Sequence, residues 1–307
     1  MKQKTPTITV ALPAYNEAIN IGKLLEALLQ QEKNKFTIKK IIVYSDGSTD
    51  KTVDIVRKKM QKFPIIQLIE GKTQKGKFYR LNQIYRDNTS DVLIILDADI
   101  GVVGKKFLES FAETIIADPK AQMVAAHQIP LRPHDFIGKV VTSSFTLWDY
   151  IRLSVPNCDH VQNLYGAATA YRGSFAKTLH IPETATEDRL YLYLMAKKMN
   201  GFRYTYDAQI IYWPVTTISD LMKLSQRAFG RPQPEIDKMF GYKTNSLYMI
   251  PRKYKIKGIL KALYNDPFYT PLGMFLGIIL SRLTTSRKTK DTALWEIALS
   301  SKKNIYV

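Results

Sequence analysis

Asp91-Val92-Leu93-Ile94-Ile95-Leu96-Asp97-Ala98-Asp99 is the stretch on which the fold turns. Its apolar run shows no alternation with polar residues, the pattern of a strand buried on both faces inside a helix-covered parallel sheet. Asp97 and Asp99 follow at i, i+2, just past the end of that strand. Ligands of open parallel sheets bind beyond the carboxyl ends of the strands. Two carboxylates so spaced can share a hard divalent cation, and magnesium favours few carboxylates plus phosphate oxygens over an all-protein cage. Taken alone, the pair reads equally well as a helix cap or a loop acid pair.

Working outward, short apolar runs alternate with helical periods. Residues 7–12 (TITVAL), 40–45 (KIIVYS) and 65–69 read as strands, and residues 121–126 as a further one. Residues 19–31 carry apolar side chains at helical spacing, and helices are also expected to about residue 61, over 77–86 and over 107–117. Strands separated by helices predict an α/β fold, a doubly wound, mainly parallel sheet with helices on both faces. Further along, residues 136–153, 187–199 and 217–229 read as helices. Residues 163–172, rich in small side chains, read as a strand or tight loop in a cleft, and 202–213 as one or two strands. The expected division is a catalytic domain over residues 1–250 and a basic, partly apolar helical tail over 251–307.

The chain of 307 residues carries 45 Lys and Arg against 27 Asp and Glu, a net charge of +18, which points to an anionic partner. Cys158 is its one cysteine, which excludes an internal disulfide and a Cys-rich zinc module. No nucleic-acid reading motif accompanies the charge, so nucleic acid is not the expected partner. Residues 251–307 hold 11 basic and three acidic residues around the apolar run 268–280, FYTPLGMFLGIIL, which is interrupted by Pro271. That arrangement suits a segment lying in the headgroup plane of an anionic leaflet; a helix packed on the catalytic domain is the plainer reading. With no signal peptide and no span of the length a bilayer needs, the expected location is cytoplasmic, peripheral on the inner face of the cell membrane.

Three acidic turns fall on one edge of the expected sheet: Pro13-Ala14-Tyr15-Asn16-Glu17, Asp46-Gly47-Ser48 and Asp97-Ala98-Asp99. One such turn is weak, since Asp and Gly suit any turn; three together single out a site. The four histidines share no metal-ligand spacing. Cys158, a lone thiol without a positioned base, reads as packing. Trp148, Tyr150, Tyr165 and Tyr171 suit either a sugar-stacking wall or the core.

At these residues the sequence resembles the family-2 inverting glycosyltransferases of the GT-A nucleotide-sugar fold, nearest their polysaccharide-synthase branch. Val10 to Leu29 (VALPAYNEAINIGKLLEALL) is similar to the family's opening motif, residues 46–50 (DGSTD) to its second, Asp97-Ala98-Asp99 to its metal-binding DxD and Thr186-Glu187-Asp188 to its TED motif. Residues 166–172 (GAATAYR) resemble the segment preceding TED. The resemblance implies that Pro13, Tyr15 and Glu17 line a uridine pocket, that Asp46 bonds the uracil and that Lys77 approaches the nucleotide. It further implies that Asp97 contacts the nucleotide sugar, that Asp99, with Asp97, holds Mg2+ or Mn2+, and that Asp188, beside Glu187, is the general base. Arg227 or Arg231 would touch the diphosphate. The implied reaction is inverting transfer of a hexose or N-acetylhexosamine from a UDP-sugar to a hydroxyl of a cell-envelope glycan or lipid-linked acceptor.

Two departures stand out. The family's GK-A-x-A-L-N stretch reads Gly76-Lys77-Phe78-Tyr79-Arg80-Leu81-Asn82, with Phe78 and Arg80 in place of two alanines. No tryptophan follows Gln226-Arg227 where the synthase branch carries QxxRW, which leaves one addition or many open. Two rival readings are a non-catalytic nucleotide-sugar-binding scaffold, permitted by the missing tryptophan, and a sugar-1-phosphate nucleotidyltransferase, which wants a Gly-rich basic loop where Pro13-Ala14-Tyr15-Asn16-Glu17 stands.

Overall fold

A computed structural model describes residues 5–182, 185, 187–217, 219–222, 233–284 and 301–306. The strands are β1 (Thr7–Ala14), β2 (Thr37–Ser45), β3 (Ile66–Glu70), β4 (Val92–Leu96), β5 (Gly101–Val102), β6 (Met123–Pro130), β7 (Ala168–Arg172) and β8 (Phe202–Tyr212). Among the described residues they form one sheet in the order β3-β2-β1-β4-β7-β6-β8-β5. The first four strands are parallel to one another. Helical crossovers return the chain to the same edge each time: α1 (Ile21–Leu29), α2 (Thr52–Lys62) and α3 (Lys77–Asp87). β7 runs antiparallel to both β4 and β6, while β6 and β8 are parallel. It is reached through α5 (Phe136–Leu153) and two short 3-10 turns, not through a crossover of the earlier kind.

The pleat divides the core into two layers. Val10, Leu12, Ile41, Val43, Ile94 and Leu96 face α1, α2 and α4 (Phe107–Ala117). Their neighbours Ala11, Ile42, Tyr44, Leu93 and Ile95 face α3, the one-turn α6 (Gly173–Ala176) and α7 (Arg189–Lys198). Alternate side chains of one strand point to opposite faces, so an unbroken apolar run is what a two-layered sheet demands. The expected strands 7–12, 40–45, 65–69 and 91–96 thus lie within a residue or a few of β1 to β4. The helix expected over 217–229 lies mostly outside the described residues.

Residues 252–284 are packed on the rest of the fold. After α8 (Pro234–Phe240), α9 (Arg252–Asn265) and α10 (Tyr269–Thr284) pack against α5. The contacts are close enough to need glycine. A Cβ on Gly258 would meet the Ile151 Cα at 2.5 Å, and one on Gly273 the Ser144 backbone nitrogen at 2.9 Å. Pro271, which reads from sequence as an interruption, sits in the first turn of α10, where its missing N–H leaves no hydrogen bond unmade. No helix among the described residues is long and apolar enough to cross a membrane. Gly258→Val should force α9 off α5 and lower the single melting midpoint of the whole chain by about 4 °C or more. An unchanged midpoint in a calorimetric scan would show that α9 is not integral to the fold.

Candidate active site

The acidic turns meet at the carboxyl edge. The ends of β1, β2 and β4 and the start of α3 surround one cleft of about 370 Å³. It is lined by Pro13, Tyr15, Glu17, Asp46, Lys77, Asp97 and Asp99, seven of the residues singled out from the sequence.

Asp46 is the best-anchored of them. Its Oδ1 accepts from the Lys75 backbone N–H at 3.0 Å and from Arg80 Nε at 2.9 Å, and its Oδ2 from the Gly76 N–H at 2.8 Å. Gly76 is at φ 94°, a left-handed conformation that glycine adopts without strain, and caps α3. A carboxylate has about four acceptor positions, so one stays open toward the cleft. The pairing accounts for one departure from the family stretch: Arg80 is a buried counter-ion to Asp46, and Gly71 makes room for its guanidinium. Phe78, the other departure, belongs to the core layer beneath α3.

Asp97 is held by its backbone N–H, which donates to the Ala167 carbonyl at 2.8 Å, and by Lys77, whose Nζ donates to Asp97 Oδ1 at 2.6 Å. Burial opposes charge on Lys77, but Asp97 and then Asp188 outweigh it and hold the ammonium firmly protonated. Burial and the adjacent Asp97 push the Asp99 carboxyl up from its usual range. Glu17, pushed up to about 8 by burial and by Asp99, is opposed by Lys302, whose Nζ lies 2.6 Å from Glu17 Oε1. The described residues contain no group of three or more His, Cys, Asp or Glu able to cage a metal. Two crowded carboxylates are nevertheless the donor set that a diphosphate-bound divalent cation requires.

Asp188 stands at the start of α7 and is buried, 5 % exposed. It lies behind the cleft wall: a Cβ on Gly166 would sit 3.8 Å from Asp188 Oδ2. Its carboxylate makes no capping hydrogen bond to α7, and its charge acts on Lys77. Glu187, in contrast, is fixed; it accepts from the Arg189 guanidinium at 2.6 Å and from the Tyr248 hydroxyl. Thr186, Arg227 and Arg231 lie outside the described residues.

The rest of the wall was read from the sequence only in part. Of the four aromatics considered for it, Tyr165 lines the cleft, joined by Phe145, Tyr212 and Trp213. Tyr171 is core, edge-on to Tyr85, and Tyr150 lies under Lys261 outside the cleft. Tyr212 and Trp213 follow from the same rule as the acidic turns, since they end a strand. Lys302 had no such signal, being 285 residues from its partner Glu17. Cys158 is buried and its thiol is pushed up by that burial, as suits packing.

A mainly parallel sheet with acidic turns around one cleft at its carboxyl edge, and an antiparallel strand beyond β4, is the GT-A fold of glycosyltransferases. Residues 9–175 match Glycosyl transferase family 2, and the chain belongs to that family. It is 26% identical over 209 residues to a poly-beta-1,6-N-acetyl-D-glucosamine synthase of Staphylococcus aureus (strain COL), covering 67% of this chain and 49% of that one. The chain spans about a quarter to a half of the length of the curated relatives it matches. Among solved structures, the mannosyltransferase PcManGT from Pyrobaculum calidifontis, in complex with GDP-Man and Mn2+, superposes with a TM-score of 0.57 at 19% identity. That match covers 93% of this chain and 77% of the other. S. aureus TarS in complex with UDP-GlcNAc gives 0.50 at 17% identity over 84% and 79%.

Asp46→Asn keeps the shape but sets an amide N–H against the donors around it and leaves Arg80 buried without a counter-charge. Urea unfolding should show a loss of about 3 kcal/mol; a change near zero would mean the pair does not organise the turn.

Proposed function

We propose that the chain is a glycosyltransferase that moves a hexose or N-acetylhexosamine from a UDP-sugar to an acceptor hydroxyl with inversion. The observation that carries this is the convergence of Tyr15, Glu17, Asp46, Lys77, Asp97 and Asp99 on one cleft. The complex of TarS with UDP-GlcNAc and the named activity of the S. aureus synthase support the donor class. Pro13 and Tyr15 form the side of the nucleoside pocket, and the open acceptor position of Asp46 meets the uracil N–H. Asp99, with Asp97, would hold Mg2+ or Mn2+, which when bound neutralises charge on the departing diphosphate. Lys77, bonded to Asp97 Oδ1, adds a fixed positive charge beside the same phosphates.

Asp188 is the general base. As the acceptor oxygen attacks the anomeric carbon, its proton passes to the Asp188 carboxylate, the carbon–oxygen bond to UDP breaks, and UDP leaves with the electron pair. A carboxylate not engaged in capping α7 is suited to this, while Glu187, bound by Arg189 and Tyr248, holds the start of α7 in place. Phe145, Tyr165, Tyr212 and Trp213 offer apolar faces to a pyranose ring.

UDP at ~100 times its dissociation constant adds about 2.7 kcal/mol of stability, a rise of roughly 5 °C or more in midpoint. That rise should need UDP and Mn2+ together, fail with GDP, and vanish in Asp99→Ala. Asp188→Asn should keep the rise and lose transfer by about a hundredfold or more. A normal turnover in Asp188→Asn removes it from the mechanism.

The acceptor side of the reading is a lipid-linked or cell-envelope glycan met at the inner face of a membrane. The outward faces of α9 and α10 support it. Ile256, Leu260 and Tyr264 recur every four residues, all more than half exposed, beside an exposed stripe of Lys253, Lys257 and Lys261. Phe275, Ile278 and Ile279 continue the apolar surface on α10. Apolar side chains ringed by lysines suit an anionic leaflet better than a neutral one. Vesicles with phosphatidylglycerol should therefore sediment the protein, and pure phosphatidylcholine should not. Leu260→Glu with Phe275→Glu should weaken sedimentation about tenfold or more and leave the UDP-dependent rise intact. Equal sedimentation by both proteins would refute the interfacial reading.

A further inference from the structure

Residues 301–306 lie far from the turn between β1 and α1 in sequence and against it in space. Asn20, at the start of α1, donates to the Lys303 carbonyl at 3.0 Å and accepts from the Ile305 N–H at 3.1 Å. Trp213, just past β8, donates from Nε1 to the Asn304 carbonyl at 2.9 Å. Lys23 Nζ reaches the Tyr306 carbonyl at 3.0 Å. Ile305 is buried against Gly101, where any Cβ would come within 2.7 Å of it. The segment is thus seated on both walls of the cleft.

From that seat Lys302 enters the cleft. An ammonium group has three hydrogens, and the structure supplies three acceptors, all on the β1–α1 turn: the carbonyls of Tyr15 and Asn16 at 3.1 Å and Glu17 Oε1 at 2.6 Å. Among the described residues neither carbonyl receives another hydrogen bond. The turn is one that needs holding. Asn16 is left-handed at φ 55°, a conformation that a residue with a side chain rarely adopts. Its side-chain oxygen accepts from the Thr49 N–H at 2.8 Å, fixing one side of the turn on the DGSTD loop. Lys302 fixes the other. It also supplies the charge that a buried Glu17, close to Asp97 and Asp99, otherwise lacks.

We propose that residues 301–306 are a working part of the donor site, with Lys302 the positioning residue that holds Tyr15, Asn16 and Glu17 in the shape that receives the nucleoside. The inference rests on the reading of this cleft as a UDP site. A segment that served stability alone would be pinned equally well by Ile305, Asn304 and Trp213, with no lysine turned inward.

The test measures dissociation constants of the full chain for UDP with Mn2+, and for uridine, by calorimetry. Lys302→Met keeps the apolar stem and removes all three hydrogen bonds. It should weaken UDP and uridine alike by roughly tenfold or more, and Lys302→Arg should recover part of the loss. Asn20→Ala frees the segment without touching the cleft and should weaken both ligands in the same direction. Adding Glu17→Gln to Lys302→Met should restore the melting midpoint but not the affinity. Affinities within twofold of wild type in Lys302→Met overturn the proposal. So does full recovery in the double variant, which would reduce Lys302 to a counter-ion. A loss confined to UDP would move its action to the diphosphate and equally overturn it. A wild-type protein that binds neither UDP nor uridine overturns the reading of the cleft itself, and this inference with it.

Discussion

The structure depends on a strand that has nowhere to put a charge except past its end. β4 is buried over all five of its residues, with β1 parallel on one side and β7 antiparallel on the other. Any polar side chain within it would meet apolar layers on either face, at a cost of several kcal/mol when unpaired. Asp97 and Asp99 therefore come where the sheet opens, and the bond from the Asp97 N–H to the Ala167 carbonyl fixes that point to the approach of β7. Everything else in the cleft is placed relative to it. Lys77 reaches Asp97 from the first turn of α3, and the ends of β1 and β2 stand alongside in the register that parallel pairing imposes.

The charge of the cleft follows from that crowding. Among the described residues its lining holds four acids, Glu17, Asp46, Asp97 and Asp99, against three bases, Lys77, Arg80 and Lys302. The described part of the cleft is thus close to balanced, and most of the chain's net charge of +18 resides elsewhere, notably in the lysine stripe of α9. Inside the cleft the pairs are specific. Arg80 answers Asp46, Lys77 answers Asp97 and Lys302 answers Glu17, while at Asp99 burial and Asp97 prevail over the pull of Lys302 and Lys77. Asp99 is thus the one carboxylate of the four with no hydrogen-bonded base of its own among the described residues.

Much of this was legible in the sequence, because β1, β2 and β4 announce themselves by apolar runs and each is followed by a turn that carries a carboxylate. The parallel rule then puts those carboxylates on one edge without any knowledge of contacts. Local patterns stop being informative where long-range contacts decide. Nothing near Ala168 says that β7 runs against β4, because a strand carries no mark of its partner's direction. Pro271 looked like an interruption and starts a helix, since a proline is silent on which side of it the helix lies. Arg80 looked like a misfit in the family stretch until Asp46 was seen beneath it. Lys302 could not be told from the other lysines of a basic tail, because its meaning lies entirely in Glu17.

The span from Glu17 to Lys302 has a consequence for how the molecule comes into being. Ribosomes deliver the chain from its amino end at about 5–20 residues per second. β1, β2, β3 and β4 are complete by residue 96, and their pairings join segments close in sequence, the kind that form early. For the many seconds of synthesis that follow, the nascent sheet exposes an acidic edge whose Glu17 has no lysine opposite it. Maturation of the edge waits on the addition of residue 302, so segments made 285 residues apart finish the same corner.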